Sequence, residues 1–308
     1  FTNSKPTADA AIEATKTLTG KKLTDGAFTF GLYDQAGNEV EKGTNDQGGK
    51  VKLTVKGLNL GEYDYTLKEE KAGQTVDGVV YDAKEVKVHV KVEQNQDDNN
   101  KTKVTVTYDG AATAPTFNNT YDAKGSVTLT ATKVVAVADG FKHDTKLKGG
   151  EYTFELKDAD GNVLDTAKND ANGKVGFTRK FTLSDLGGAA SKDFAYTIVE
   201  QPGTEPGMVY DTHPLIYKVT VKDDGTGTLT ATPVAEGAPN SQAFTNAYHP
   251  KGTSVALEAT KRFTGGALAG GDFTFQLLDS DGKELQAVQN DKDGKVAFAA
   301  IDYATPGE

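Results

Sequence analysis

The feature that most limits what this chain can fold into is that it is written nearly three times over. Residues 11–20 (AIEATKTLTG), 127–135 (VTLTATKVV) and 255–265 (VALEATKRFTG) open alike. Each opening continues into an aromatic-Thr-Phe segment at 28–30, 152–154 and 273–275, then a turn that begins with Asp at 34–38, 158–162 and 279–283. A second turn, Asn-Asp followed by Gly-Lys, lies at 45–50, 169–174 and 290–295. The first two copies go on to share 65–69 with 196–200, Val80-Tyr81-Asp82 with Val209-Tyr210-Asp211, and a closing Phe-x-Asn-x-Tyr at 117–121 and 244–248. The opening lysines Lys16, Lys133 and Lys261 recur at roughly 120 residues, a domain spacing rather than a solenoid spacing. The chain therefore parses into 1–3, the last strand of a preceding repeat; 4–121 and 122–248, two complete repeats; and 249–308, the first half of a further one. Phe1-Thr2-Asn3 matches the closing motif and the third copy stops at Glu308, so the parent is expected to extend in both directions.

Within each copy the hydrophobic period is two. Val86, Val88, Val90 and Val92 alternate with Lys87, His89 and Lys91, and Tyr217, Val219 and Val221 alternate likewise. Strict alternation describes strands with one face on a core and the other in water. Short Gly- and Asp-rich turns separate them, no useful 3.6-residue period occurs, and Val, Thr, Tyr and Phe are plentiful, so the expected fold is all-β, a series of antiparallel sandwiches. With no cysteine, neither disulfides nor thiolate metal sites hold it together. A formal charge of −10 argues against a nucleic-acid partner, and no apolar run has the 18 or so residues that span a bilayer.

Strand geometry puts certain polar residues on the core face. Side chains two apart point the same way, so Ile12 and Ala14 share a face with Lys16, Leu129 and Ala131 with Lys133, and Leu257 and Ala259 with Lys261. The same count places Glu69 beside Tyr65 and Leu67, Glu200 beside Tyr196 and Ile198, Asn119 between Phe117 and Tyr121, and Asn246 between Phe244 and Tyr248. Buried Lys and Glu cost several kcal/mol each unless partnered. Spacing leaves two readings. One is a buried Lys–Glu ion pair with asparagine as a hydrogen-bonding filler. The other is a self-made amide: apolar burial pushes the lysine pKa down and the glutamate pKa up, and a neutral amine held against the asparagine carboxamide is a nucleophile already in place. On that reading the glutamic acid donates to the amide oxygen and then shuttles protons toward departing ammonia.

These motifs resemble the CnaB-like isopeptide-forming domains of Gram-positive surface proteins, most closely the streptococcal T-antigen type of backbone pilin. The resemblance covers nearly the whole chain and rests on the Thr-Lys opening, the Phe-Thr-Phe strand and Asp-x-x-Gly turn, Asn-Asp-x-x-Gly-Lys, Tyr-Thr-[Leu/Ile]-x-Glu, Val-Tyr-Asp and the final Phe-x-Asn-x-Tyr. It implies tandem Ig-like sandwiches in which Lys16 joins Asn119 and Lys133 joins Asn246, with Glu69 and Glu200 as the catalytic groups and no cofactor. Asn3 and Lys261 are left unpaired within these residues. It also implies an extracellular protein, cell-wall-anchored or in a pilus, whose partners are its own neighbouring repeats. No sorting signal is seen, and Lys251, in Tyr248-His249-Pro250-Lys251, is read as a linker residue.

Other signals are read as structural. Asp158-Ala159-Asp160-Gly161 and Asp279-Ser280-Asp281-Gly282 look like calcium loops, but the twelfth position falls on Asn169 or Asn290 instead of a bidentate Glu, so they are read as hairpin turns and no metal is expected. The histidines, His89, His143, His213 and His249, show no metal or catalytic spacing, and no substrate-turnover enzyme is expected. The function expected is a stalk or pilus-shaft segment whose internal bonds give mechanical and proteolytic resistance. The alternative is an adhesin that contacts host protein or glycan through end loops, for which the insertion at 136–147 is the distinctive segment.

Overall fold

The computed structural model describes residues 6–95, 101–237 and 242–304. Among these, regular structure is almost all strand, with a short 3₁₀ turn at Leu183–Leu186. Spatial proximity divides the chain into two compact units. One holds the residues up to Leu129 with 178–196 and 217–234, the other 130–177, 197–216 and those from 235 on, so the division runs through the second copy.

In the first copy the strands are β1 (Ala8–Thr19), β2 (Thr29–Tyr33), β3 (Glu39–Thr44), β4 (Lys50–Leu58), β5 (Gly61–Glu69), β6 (Thr75–Val76), β7 (Val79–Val80), β8 (Glu85–Gln94), β9 (Thr102–Tyr108) and β10 (Thr116–Tyr121). They form two five-stranded sheets, in the orders β4, β1, β10, β7, β6 and β3, β2, β5, β8, β9. The alternating residues of both sheets, Ile12 and Phe117 from one and Phe30, Leu67 and Val88 from the other, meet in a single core, which makes the copy a sandwich. Its pairings are antiparallel with one exception. The opening strand β1 and the closing strand β10 run parallel, with Lys16 opposite Phe117 and Leu18 opposite Asn119.

The second copy repeats the plan with β11 (Lys124–Val137), β12 (Thr153–Lys157), β13 (Val163–Lys168), β14 (Lys174–Thr182), β15 (Ser191–Glu200), β16 (Met208–Val209), β17 (Leu215–Asp223), β18 (Leu229–Ala235) and β19 (Ala243–Tyr248). The sheets run β14, β11, β19, β16 and β13, β12, β15, β17, β18. Again the first and last strands are parallel neighbours, Lys133 opposite Phe244 and Val135 opposite Asn246. Phe154 and Phe244, one from each sheet, meet edge to face at 5.2 Å as Phe30 and Phe117 do at 5.1 Å.

The third copy is thinner. Strands β20 (Thr253–Val255), β21 (Glu258–Thr260), β22 (Thr274–Leu278), β23 (Glu284–Gln289), β24 (Lys295–Ala297) and β25 (Ile301–Tyr303) pair only in twos: β20 with β25, β21 with β24, β22 with β23. The alternation that predicts a core face for Val255, Leu257 and Lys261 is not realised: Val255 and Leu257 are exposed and Lys261 is half-buried. Among the described residues of that copy no second sheet covers those side chains.

One local device recurs in all three copies and explains the Asn-Asp-x-x-Gly-Lys motif. The asparagine is buried, and its Oδ1 accepts the N–H of the aromatic residue 17 positions upstream, just ahead of an earlier strand: Asn45 from Phe28, Asn169 from Tyr152 and Asn290 from Phe273, each at 2.8 Å. The turn glycine presents its carbonyl to the N–H of the opening lysine: Gly49 to Lys16 and Gly173 to Lys133 at 2.6 Å, Gly294 to Lys261 at 2.7 Å. Gly173 has φ +80°, and a Cβ there would lie 2.3 Å from the Lys133 carbonyl oxygen. Only glycine satisfies both the left-handed backbone and that approach. The hairpin turns that begin with Asp are held from within, Asp34 accepting from the N–H groups of Ala36 and Asn38 and Asp158 from those of Asp160 and Asn162.

Candidate crosslink sites

Each complete copy brings its predicted lysine, glutamate and asparagine to one point. Lysine and asparagine come from the parallel pair β1/β10 or β11/β19. The glutamate reaches across from the facing sheet, where Glu69 sits opposite Phe30 and Glu200 opposite Phe154. All six are buried, the lysines at 1% and 2% exposure, the glutamates at 1% and 4%, and the asparagines at 0%.

In the first copy Lys16 Nζ lies 2.9 Å from Glu69 Oε1 and donates to the Phe117 carbonyl at 3.3 Å, while Asn119 Nδ2 donates to the same Glu69 Oε1 at 3.2 Å. Glu69 Oε2 is buried without a hydrogen-bond partner. In the second copy Lys133 Nζ donates to Glu200 Oε2 at 2.9 Å and to the Phe244 carbonyl at 3.1 Å, and Asn246 Nδ2 donates to Glu200 Oε1 at 2.5 Å. Aromatic rings wall the amines, with Lys16 Nζ 4.8 Å from the centre of Phe28 and Lys133 Nζ 4.7 Å from that of Tyr152.

This dry setting acts on the protons. Burial holds the ammonium groups of Lys16 and Lys133 below their ordinary value, against the opposing pull of their glutamates. Burial likewise raises the Glu69 carboxyl, outweighing the Lys16 charge. Both directions favour a neutral amine beside a neutral acid, the state that nucleophilic attack requires.

The orientation of the carboxamide differs from the sequence expectation. The glutamate meets the amide nitrogen, not the oxygen. Asn119 Oδ1 accepts the backbone N–H of Asp82 and Asn246 Oδ1 that of Asp211, both at 2.8 Å. A backbone N–H only donates, so it fixes which end of the carboxamide is oxygen. The glutamate thus touches the two nitrogens that exchange places in an amide transfer. Sequence reasoning noted Val-Tyr-Asp as a shared motif but gave it no part in the site; its recurrence 37 and 35 residues before the asparagine was the available signal.

The remaining expected residues fall elsewhere. Lys261 Nζ lies 4.2 Å from the centre of the Phe273 ring, the equivalent of the Phe28 and Tyr152 contacts, and no glutamate or asparagine is paired with it among the described residues. Asn3 lies outside the described residues. The 136–147 insertion folds back on the end of its own copy and the residue that follows: the His143 ring stacks on Tyr248 at 4.2 Å, its Nε2 lies 3.5 Å from Glu205, and Phe141 meets His249 edge-on at 5.4 Å.

Two sandwiches, each with a buried Lys–Glu–Asn constellation joining its end strands, define a repeat protein of isopeptide-domain type. The Spy0128-like isopeptide-containing domain family (FctA) matches residues 12–122 and again 129–249, and the chain belongs to that family. Among solved structures it is similar to the major pilin of Streptococcus pyogenes, at 18% identity over 77% of this chain and 96% of that one, TM-score 0.27. It is also similar to BcpA, the major pilin subunit of Bacillus cereus, at 16% identity over 97% of this chain and 85% of that one, TM-score 0.23. A third likeness, to the Bacillus anthracis TIE protein, is at 16% identity with TM-score 0.22, and covers 96% of this chain but only 44% of that one. A comparison with curated proteins finds no match.

Proposed function

We propose that each complete copy closes a covalent amide between its first and last strands, Lys16 to Asn119 and Lys133 to Asn246. We further propose that the chain is a structural segment, stalk or pilus shaft, of an extracellular Gram-positive surface protein. The observation that carries this reading is the three-way contact itself. A glutamate shared between a lysine amine and an asparagine amide nitrogen, in a core whose burial favours the neutral amine, is the arrangement for moving one proton from the first nitrogen to the second. Under a simple ion pair the repeated asparagine would serve only as a hydrogen-bonding filler between the glutamate and the aspartate N–H. No substrate is turned over, since the lysine and asparagine are consumed.

Intact mass tests it. The purified chain is expected to weigh less than its sequence by two ammonias, about 17 Da each, as a covalent self-modification. Tryptic peptides linking Lys16 to Asn119 and Lys133 to Asn246 identify the partners. A chain at its full calculated mass refutes the crosslink. The adhesin alternative predicts host-protein or glycan binding that disappears when 136–147 is deleted. The packing of that insertion against Tyr248 and His249 favours the structural reading.

A further inference from the structure

The Val-Tyr-Asp segment shared by both complete copies has no part in the reaction as derived so far. In each, the aspartate does two things at once. Its backbone N–H donates to the asparagine Oδ1 at 2.8 Å, from Asp82 to Asn119 and from Asp211 to Asn246. Its carboxylate binds the strand carrying that asparagine, one residue upstream: Asp82 Oδ2 accepts the N–H of Asn118 at 2.9 Å, and Asp211 Oδ2 that of Thr245 at 2.8 Å. The other carboxylate oxygen ties down the aspartate's own loop, Asp82 Oδ1 accepting from the Lys84 N–H at 3.0 Å and Asp211 Oδ1 from the His213 N–H at 3.1 Å, with His213 Nδ1 at 2.6 Å.

We infer that the backbone N–H of Asp82 and of Asp211 is the oxyanion donor of the crosslinking reaction, and that the same residue's carboxylate is the clamp that aims it. The inference rests on the proposed function and adds to it a group that stabilises the transition state. The chemistry demands such a group. As the lysine Nζ bonds to the asparagine Cγ, the carbonyl π pair moves onto Oδ1, which becomes negative inside an apolar core. The glutamic acid gives its proton to Nδ2 and takes one from Nζ. The Cγ–Nδ2 bond then breaks with its pair leaving on ammonia, and the oxygen pair re-forms the carbonyl. The glutamate attends to both nitrogens, which leaves the oxygen to another donor. A fixed backbone N–H supplies it with no reorganisation at the moment of reaction. The repeat of the arrangement, donor and clamp together, in two copies of different sequence argues against chance.

The test is the rate at which freshly folded chain loses ammonia from its second copy, with the first copy as internal clock. Replacing the Tyr210–Asp211 amide with an ester, by incorporating the hydroxy-acid analogue of aspartate, removes the N–H and keeps the carboxylate. The second copy is then expected to react at least about a hundredfold more slowly while the first is unchanged. Asp211→Ala, which keeps the N–H but frees it, is also expected to be slow, and Asp211→Asn, which retains an acceptor oxygen for the Thr245 N–H, to recover part of the rate. If the ester prevents folding, the Ala and Asn variants decide through that recovery, which loss of packing alone does not produce. A folded ester variant reacting at the unmutated rate, or Ala and Asn variants both doing so, overturns the oxyanion inference and leaves the crosslink standing. Absence of ammonia loss from either copy of the unmutated chain overturns the crosslink itself.

Discussion

Glu69 shows what burial does to a pair of charges. Its carboxyl is raised above the ordinary 4.5 and its partner Lys16 lowered below the ordinary 10.5, both by desolvation. Reaction requires the pair to share a single proton, held as neutral amine and neutral acid, and both shifts run toward that state. In acid the pair takes up a second proton and the amine loses its lone pair; in base it gives up the only one and the acid has nothing to donate. The rate of ammonia loss from the first copy is therefore expected to be bell-shaped in pH, falling in acid as the Lys16 amine is protonated and in base as the Glu69 acid is ionised. Mass spectrometry of chain folded over a series of pH values checks it, and a rate that only rises or only falls with pH contradicts it. Glu69→Gln keeps the shape of the side chain and cannot shuttle the proton. That chain is expected to lose one ammonia instead of two, with the second copy unaffected.

At the scale of turns and strands, the glycine that receives the lysine N–H invites a paired substitution. Gly161 and Gly173 have nearly the same positive φ, +84° and +80°, yet a Cβ on Gly161 meets open space and one on Gly173 meets the Lys133 carbonyl oxygen. Gly161→Ala is expected to cost about 1 kcal/mol for the left-handed backbone alone. Gly173→Ala is expected to cost roughly 2–4 kcal/mol, because the clash is added to the strain. Denaturant unfolding of the second copy in an Asn246→Ala background, where no bond masks the effect, separates the two. Equal costs would mean that the turn gives way freely and does not locate the lysine. Much of this level was legible beforehand. Alternation alone placed Lys16, Glu69 and Asn119 on a core face, because a two-residue period leaves a side chain no other direction. Alternation names a face, however, and not a neighbour. The parallel pairing of β1 with β10 depends on contacts 101 residues apart that no local pattern carries. Nor does a residue letter say which atom of a carboxamide meets which donor, and so the aspartate N–H went unread. In the third copy, present here as a first half, the same alternation leaves Val255 and Leu257 exposed and Lys261 half-buried, since a face becomes a core only when a second sheet covers it.

Taken over the whole chain, the proposed bonds act on the unfolded state. A tie closing roughly 100 residues removes on the order of 4–5 kcal/mol of chain entropy in the disulfide treatment. Asn246→Ala is thus expected to lower the melting temperature of the second copy by on the order of 15 °C and shorten its life in trypsin, while the first copy keeps both. Calorimetry and timed proteolysis read each copy separately, and unchanged values would assign the stability to packing alone. The pairing of first strand with last also sets an order of events. Asn119 is synthesised about 100 residues after Lys16, so no copy can react before its entire length has been made and folded. A copy that has closed the proposed bond is topologically a ring with two tails, and no denaturant can draw it out into single file. A pore that passes one extended strand would then face two abreast. Export through such a pore and closure of the ring can occur in one sequence only, with the thread passed first and the knot tied on the far side.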